Sequence, residues 1–417
     1  MAFTATGRDV RILFATRAVR LFAYGLLSVV LVLYLSAAGL DDARIGLLLT
    51  LTLVGDTAVS LWITTSADRV GRRRMLLAGA GLMIFAGAVF AATRSFAALL
   101  VAAIVGVISP SGNEVGPFLP IEQAALAQQV PESHRTGLLA WYNLTGSFAT
   151  ALGSLTGGAL AQVLLSRGSS PLAAYRAVVI GYAAAGGVLA ILFGRLGPRI
   201  ELAGTVRAAS EKRRPALLQP GLGLHRSRRA VFRLSGLFTI DAFAGGFVVQ
   251  SFVASWFNRR FGVEPAGLGA LFFGANVLAG VSALSAAWIA RRIGLLQTMV
   301  VTHLPSNVLL LLVPFMPSLP LAAAVLLLRF SISQMDVPTR QAYTLALVEA
   351  DERSAAAGVT GIARTIGASL SPIIAGPLYA VPALAGAPFL IAGGLKIAYD
   401  VLVFVGFRKA PGPSLRH

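Results

Sequence analysis

Cysteine is absent from the 417 residues, so the chain can form neither disulfides nor thiolate metal sites, and its redox compartment leaves no mark on it. Charge is also scarce: Asp, Glu, Lys and Arg make up 12% of the residues, well short of what the surface of a soluble globule carries. Acids are the scarcer sign, 17 against 35 Lys and Arg, which gives a formal net charge of +18. Such an excess would suggest nucleic acid if it formed a stripe on a soluble domain. Here it collects at alternate junctions between apolar runs, so no nucleic-acid partner is expected. There is no GxxxxGK[ST] phosphate loop and no grouping of nucleophile, base and orienting acid, and neither an enzyme, a cofactor nor a metal site is expected.

What is abundant is apolar sequence, 56% of the chain, with a mean hydropathy of +0.77. Twelve windows are long enough to cross a hydrocarbon core: 12–36, 43–66, 75–93, 97–128, 136–165, 173–195, 233–257, 266–290, 296–316, 320–348, 355–380 and 386–408. Segments in lipid must satisfy their own backbone, and these lengths specify helices, so the predicted class is an all-α, multi-pass membrane protein. Arg69, Arg72, Arg73 and Arg74 lie between spans 2 and 3, Arg291 and Arg292 between spans 8 and 9, and Arg408, Lys409 and Arg416 at the carboxyl end. The junctions between spans 9 and 10 and between spans 11 and 12 hold no Lys or Arg, so both termini are expected in the cytoplasm. Met1 to Arg11 is polar, lacks a small-residue cleavage pattern and reads as a retained cytoplasmic start.

The stretch from Arg195 to Arg233 carries ten Lys or Arg residues against Glu201 and Glu211 and is broken by Pro198, Pro215 and Pro220. It reads as a basic cytoplasmic linker, 196–232, between six-helix halves at 1–195 and 233–417, serving either as tether and topology signal or as a contact for anionic lipid. The halves repeat. Residues 120–135 align with 338–353 without a gap, Pro120 on Pro338, Gln123 on Gln341, Ala124 on Ala342, Val130 on Val348 and Arg135 on Arg353. In a second pairing Gly39 and Gly46 meet Gly262 and Gly269, and Asp68-Arg69-Val70-Gly71 falls on Arg291-Arg292-Ile293-Gly294. Repeats of this kind frame the substrate site of many transporters.

The run Thr64-Thr65-Ser66-Ala67-Asp68-Arg69-Val70-Gly71-Arg72-Arg73-Arg74 resembles motif A of the major facilitator superfamily of secondary transporters, although Thr64 stands where the motif opens on glycine. The resemblance spans essentially the whole chain. It implies twelve transmembrane helices in two pseudo-symmetric six-helix bundles, a cavity lined by spans 1, 4, 7 and 10, and alternating access. It also implies a cytoplasmic latch at Asp68, Arg69, Gly71, Arg72 and Arg73, with Glu122 assigned to the same gate. Antiporters of the superfamily carry a glycine-proline motif in span 5, which Gly153-x-x-x-Gly157-Gly158 matches only in part. Close helix packing is the simpler use of those glycines.

Charges inside spans are costly, which makes each a functional suspect. Glu114, Asp241 and Asp56 are the proton-coupling candidates. Glu114 belongs to Ser109-Pro110-Ser111-Gly112-Asn113-Glu114-Val115-Gly116-Pro117, a stretch of span 4 that must break its helix. Asp56 matches Arg20 in depth, and either Arg17 or Arg20 is its expected partner. Arg20, Tyr24, Asn113, Asn143, Asp336, Arg340 and Arg364 are candidates for the substrate cavity. Glu122 and Arg340 occupy equivalent repeat positions with opposite charge, so they read as a gate that closes between the halves, with an Asp336–Arg340 pair on one helix competing. Lys396 and Asp400 read as an i,i+4 pair, and His303 as structural.

Together these readings give a proton-coupled exporter of a small organic solute in a bacterial inner membrane. Membrane lipid, solute and protons are its expected partners, and a monomer its expected state. Uptake of an anionic solute by symport, a lipid-handling protein and a non-transporting sensor are the rival readings.

Overall fold

The computed structural model describes residues 7–114, 116–201, 224–349 and 351–408. Among these there are helices, turns and short 3-10 segments and no strand, as expected of backbone that must satisfy itself in lipid. In chain order the helices are α1 (Arg8–Ala37), α2 (Asp42–Val70), α3 (Arg72–Ala92), α4 (Phe96–Val105), α5 (Phe118–Gln129), α6 (Glu132–Ser166), α7 (Pro171–Gly194), α8 (Arg228–Gly246), α9 (Gln250–Phe261), α10 (Pro265–Ile293), α11 (Leu295–Leu312), α12 (Leu319–Ser333), α13 (Asp336–Ala346), α14 (Arg353–Leu370), α15 (Pro372–Ala380) and α16 (Ala387–Phe407).

Ten stretches of the described residues are long and apolar enough to cross a membrane. The other two of the twelve predicted spans are interrupted helices, each broken where the sequence carries proline: span 4 is α4 and α5, parted by residues 106–117, and span 11 is α14 and α15, parted at Ser371-Pro372. The helix starts show ordinary capping chemistry. Asp41 accepts a hydrogen bond from Arg44 N at 2.8 Å, and Ser170 accepts one from Ala173 N at 3.4 Å ahead of Pro171.

The repeat seen in the sequence is a repeat of structure. Advancing by the Gly39-to-Gly262 offset carries α2 onto α10 from first residue to last, and the start of α3 onto the start of α11. Gly39 and Gly262 have φ of 95° and 65°, and Gly71 and Gly294 have φ of 114° and 89°, so each copy ends its turn on a left-handed backbone that only glycine adopts cheaply. In the other register Phe118, where α5 begins, falls on Asp336, where α13 begins.

The chain forms two compact units, the first made of Met1–Arg213 with Gln250–Phe273 and the second of Arg214–Val249 with Gly274–His417. They differ from the expected halves at one place, the α9 hairpin, which joins the first unit. Gln250 explains part of this, donating to Ser28 Oγ at 2.8 Å and Ser154 Oγ at 3.2 Å, and Arg259 pairs with Asp42 at 2.6 Å. Most of the linker expected at 196–232 lies outside the described residues.

Lipid offers no hydrophobic drive between helices, so close approach has to supply the packing. In the first unit α1 and α6 meet backbone to backbone. A Cβ on Gly153 would stand 2.0 Å from Phe22 O, one on Gly157 2.3 Å from Leu26 O, and one on Gly25 2.1 Å from Thr150 O. The second unit has a core of Leu234, Phe238, Met299, Tyr343, Tyr399 and Val403, none more than 3% exposed.

Candidate functional site

The break in span 4 builds the first unit's site. Pro110 and Pro117 cannot continue a helix, Gly112 and Gly116 take φ of 71° and 83°, and Ser109 Oγ donates to Asn113 O at 2.7 Å. The resulting loop delivers Glu114 to α1. There Arg17 Nη1 donates to Glu114 Oε2, and Arg20 donates through Nε to Oε1 at 2.9 Å and through Nη2 to Oε2 at 3.3 Å. Arg20 serves a second carboxylate as well. Its Nη1 and Nη2 donate to Glu122 Oε1 and Oε2 at 2.9 and 2.6 Å, and Thr16 and Tyr142 donate to the same carboxylate.

Two arginines therefore face two glutamates, and the arrangement is fully interdigitated. Arg20 and Glu122 side chains are 0% exposed, whereas Glu114 is 14% exposed and is the most open carboxylate of the four groups. Gly146 makes room for Arg17, because a Cβ there would lie 2.7 Å from Arg17 Nε. The Arg17 guanidinium also lies over the Tyr142 ring, 4.8 Å from its centroid, and that of Arg20 over Phe118 at 4.7 Å. Tyr24 is buried within electrostatic reach of Arg20, Asp56 and Glu122.

Asp56, expected to pair with Arg20 or Arg17, does neither. Both arginines are taken by the span-4 glutamates, and Asp56, 7% exposed, accepts from Ser60 Oγ at 3.5 Å and from the backbone N–H of Gly116. It thus satisfies a donor that the broken helix has released. Asn113 and Asn143 are exposed, and Trp141 on α6 is 55% exposed.

The second unit gathers its charges around Asp241 on α8. Lys396 Nζ donates to Asp241 Oδ1 at 2.5 Å, and Arg340 and Arg364 each donate to Oδ2 at 3.1 Å. Arg340 also holds Asp336 at 2.8 Å, the intrahelical pair that competed with a gate in the sequence reading. The proposed Glu122–Arg340 partners are thus each engaged inside their own unit. The expected Lys396–Asp400 pair is not formed. Lys396 reaches Asp241 on another helix, and Asp400 instead contacts His303 Nδ1 at 2.8 Å and Asn307 Nδ2 at 2.9 Å. His303, read from sequence as merely structural, joins the cluster, with Nε2 3.9 Å from Asp241. Its signal was available: Asn307 sits one turn away on the same face of a largely apolar helix.

At the motif-A turn the side chain of Asp68 lies outside the described residues. The carboxylate seen at the start of α3 is Glu201, which accepts from Arg72 N at 2.8 Å and Arg73 N at 3.1 Å, as the positive end of a helix favours. Gly71 ends α2 beside it, a Cβ there standing 3.3 Å from Glu201 Oε1. Arg72 Nη1 donates to Gln128 Oε1 and Ile200 O at 2.9 and 3.3 Å, and Arg73 Nη2 donates to Gly194 O, tying the turn to the ends of spans 4 and 6. Arg69 is exposed on the last turn of α2. Sequence reasoning passed over Glu201 because it sits in the linker.

The second unit has a counterpart at the start of α8. Glu352 is covered from solvent and accepts from the N–H groups of His225, Arg226 and Ser227. These bonds, with one from the Ser227 side chain foremost, hold its carboxyl down at about 2.

Comparison with known proteins agrees with this architecture. The Major Facilitator Superfamily model matches residues 13–372. An uncharacterised membrane protein of Saccharomyces cerevisiae is 30% identical over 96% of this chain and 94% of its own length. A sodium, lithium and potassium/proton antiporter of Planococcus maritimus is 30% identical over 28% of this chain and 27% of its own. Among solved structures, the nucleoside transporter NupG has a TM-score of 0.73 at 12% identity, covering 96% of this chain and 100% of that one. With the family model covering most of the sequence and its fold shared, this chain belongs to the Major Facilitator Superfamily.

Proposed function

We propose that this secondary transporter exports a small organic solute in exchange for protons, with Glu114 as the group that carries the coupling proton. The observation behind the proposal is the uneven sharing of Arg20. Glu114 is the open member of its cluster, and its partners are Arg17 and one edge of Arg20. Protonation of Glu114 leaves Arg20 neutralised by Glu122, so only Arg17 loses its carboxylate, and Arg17 still has the face of Tyr142 to rest on. The step thus loosens the tie between α1 and the span-4 loop without stranding a buried charge, which would cost several kcal/mol. Asp56 holds the same loop from the other side through Gly116, making it the second carboxylate through which a proton can act on span 4.

Export is the direction that the partial span-5 glycine motif and the partial likeness to a cation/proton antiporter support. The Arg distribution supports a reading with both termini in the cytoplasm, of a monomer whose two six-helix halves are joined by the basic linker. The motif-A run serves as the cytoplasmic latch, with Arg72 and Arg73 bonded to Glu201 and Asp68 and Arg69 assigned to it from the sequence.

The test is solute-driven proton movement in proteoliposomes holding a pH dye, with wild type and Glu114→Gln side by side. Wild type should move protons opposite to solute, and Glu114→Gln should still carry solute downhill while its proton signal falls to background. Proton and solute moving the same way would replace export by symport, and unchanged coupling in the variant would remove Glu114.

A further inference from the structure

We infer that Arg364 is the contact for an anionic group of the solute, a carboxylate, sulfonate or phosphate, so that the transported compound is a small organic anion. The inference rests on the transporter reading above and names its substrate class.

The charges of the second unit do not balance. Arg340, Arg364, Lys396 and Arg329 face Asp241, Asp336 and Asp400, and Asp400 is already engaged by His303 and Asn307. A single carboxylate, Asp241, accepts from three of the cations. The Nε of Arg329 is buried with no hydrogen-bond partner at all. Arg17 Nε in the first unit likewise lacks a hydrogen-bond partner, so the difference between the units lies in the count of charges: there two arginines face two glutamates.

The surplus is also located. Arg364 is 34% exposed, whereas Arg340, Asp241, Asp336 and Lys396 are between 4% and 10%. Its bond to Asp241 runs from Nη1 at 3.1 Å, which leaves most of a five-donor guanidinium fork for other acceptors. Arg364 sits in the middle of α14, at membrane depth, where an open cation turned to lipid costs roughly 2.5 to 3.5 kcal/mol on insertion scales. An exposed guanidinium there belongs on a water-filled path, and a planar oxyanion is the partner its fork fits.

The experiment is thermal stabilisation of the purified full-length protein in phosphatidylcholine nanodiscs, with no pH gradient. The probes are benzoate, benzenesulfonate and phenyl phosphate, with benzylamine and benzyl alcohol as cationic and neutral controls. The expected result is stabilisation by at least one anion and by neither control, weakened tenfold or more in Arg364→Gln and partly kept in Arg364→Lys. Asp241 retains Lys396 and Arg340 in both variants, so the fold should persist, and a monodisperse elution profile checks it. Stabilisation by benzylamine, equal anion affinity in Arg364→Gln, or no response to any probe would overturn the inference. So would stabilisation that appears only when phosphatidylglycerol replaces part of the phosphatidylcholine, because the anion would then be a lipid headgroup. Binding of anions with no accompanying proton movement in proteoliposomes would instead sink the coupling scheme and leave Arg364 standing.

Discussion

Arg20 is bonded to two carboxylates while Glu122 is bonded to one cation, and this asymmetry predicts an order of stabilities. Removing Glu122 as Glu122→Gln leaves Arg20 buried but still paired with Glu114 at 2.9 Å. Removing Arg20 as Arg20→Met leaves Glu122, 0% exposed, with only Thr16 and Tyr142, and leaves Arg17 as the one cation beside both glutamates. Breaking a buried pair costs roughly 3 to 5 kcal/mol, so Glu122→Gln should lie near the low end and Arg20→Met at or above the high end. The double variant Arg20→Met with Glu122→Gln removes one charge of each sign and leaves the Arg17–Glu114 pair intact. It should therefore be more stable than Arg20→Met alone, by about 1 to 2 kcal/mol, instead of less stable by the sum. Reversible unfolding of the reconstituted protein by detergent titration measures all three. Equal costs for the two single variants, or additive costs in the double, would refute the shared-arginine account.

Three further outcomes follow from named contacts. Glu352 titrates at about 2 when folded and near 4.5 when free, so the stability it lends α8 is fully present above about pH 4.5 and is lost as pH falls toward 2. Glu352→Gln should flatten the acid limb of the stability profile in that window, and an unchanged limb would mean that the cap contributes nothing. Gly153→Ala puts a Cβ 2.0 Å from Phe22 O, against backbone that cannot step aside, and should cost about 1 to 3 kcal/mol or more, whereas Gly187→Ala meets nothing within 4 Å and should be neutral by the same assay. The Arg364 variants should lose anion-dependent stabilisation in the order Gln more than Lys, as set out above.

The helices were legible because lipid imposes a single rule, that every backbone group be satisfied within its segment, and that rule writes itself as apolar length. The repeat was legible for a related reason: glycines at left-handed turns and prolines at helix restarts constrain backbone, which sequence encodes directly. The break at Ser109 to Pro117 was foreseen on those grounds, and it is where the site lies. Charge pairing was much less legible. Spacing reveals neighbours on one helix, so it found Asp336 with Arg340, but it also proposed Lys396 with Asp400, where the lysine in fact reaches a different helix. Depth matching paired Asp56 with Arg20 and missed that a bent span 4 brings two glutamates nearer. Which charges meet depends on helix rotation, and no one-dimensional pattern fixes that.

The central claim is that Glu114 takes up the coupling proton, and difference infrared spectroscopy on acidification reports it without reference to any solute. Wild type in nanodiscs should develop the carbonyl stretch of a protonated carboxylic acid over the pH range in which solute drives proton movement, and Glu114→Gln should lack that band. The same band persisting undiminished in Glu114→Gln, or its absence from wild type across that range, would contradict the account.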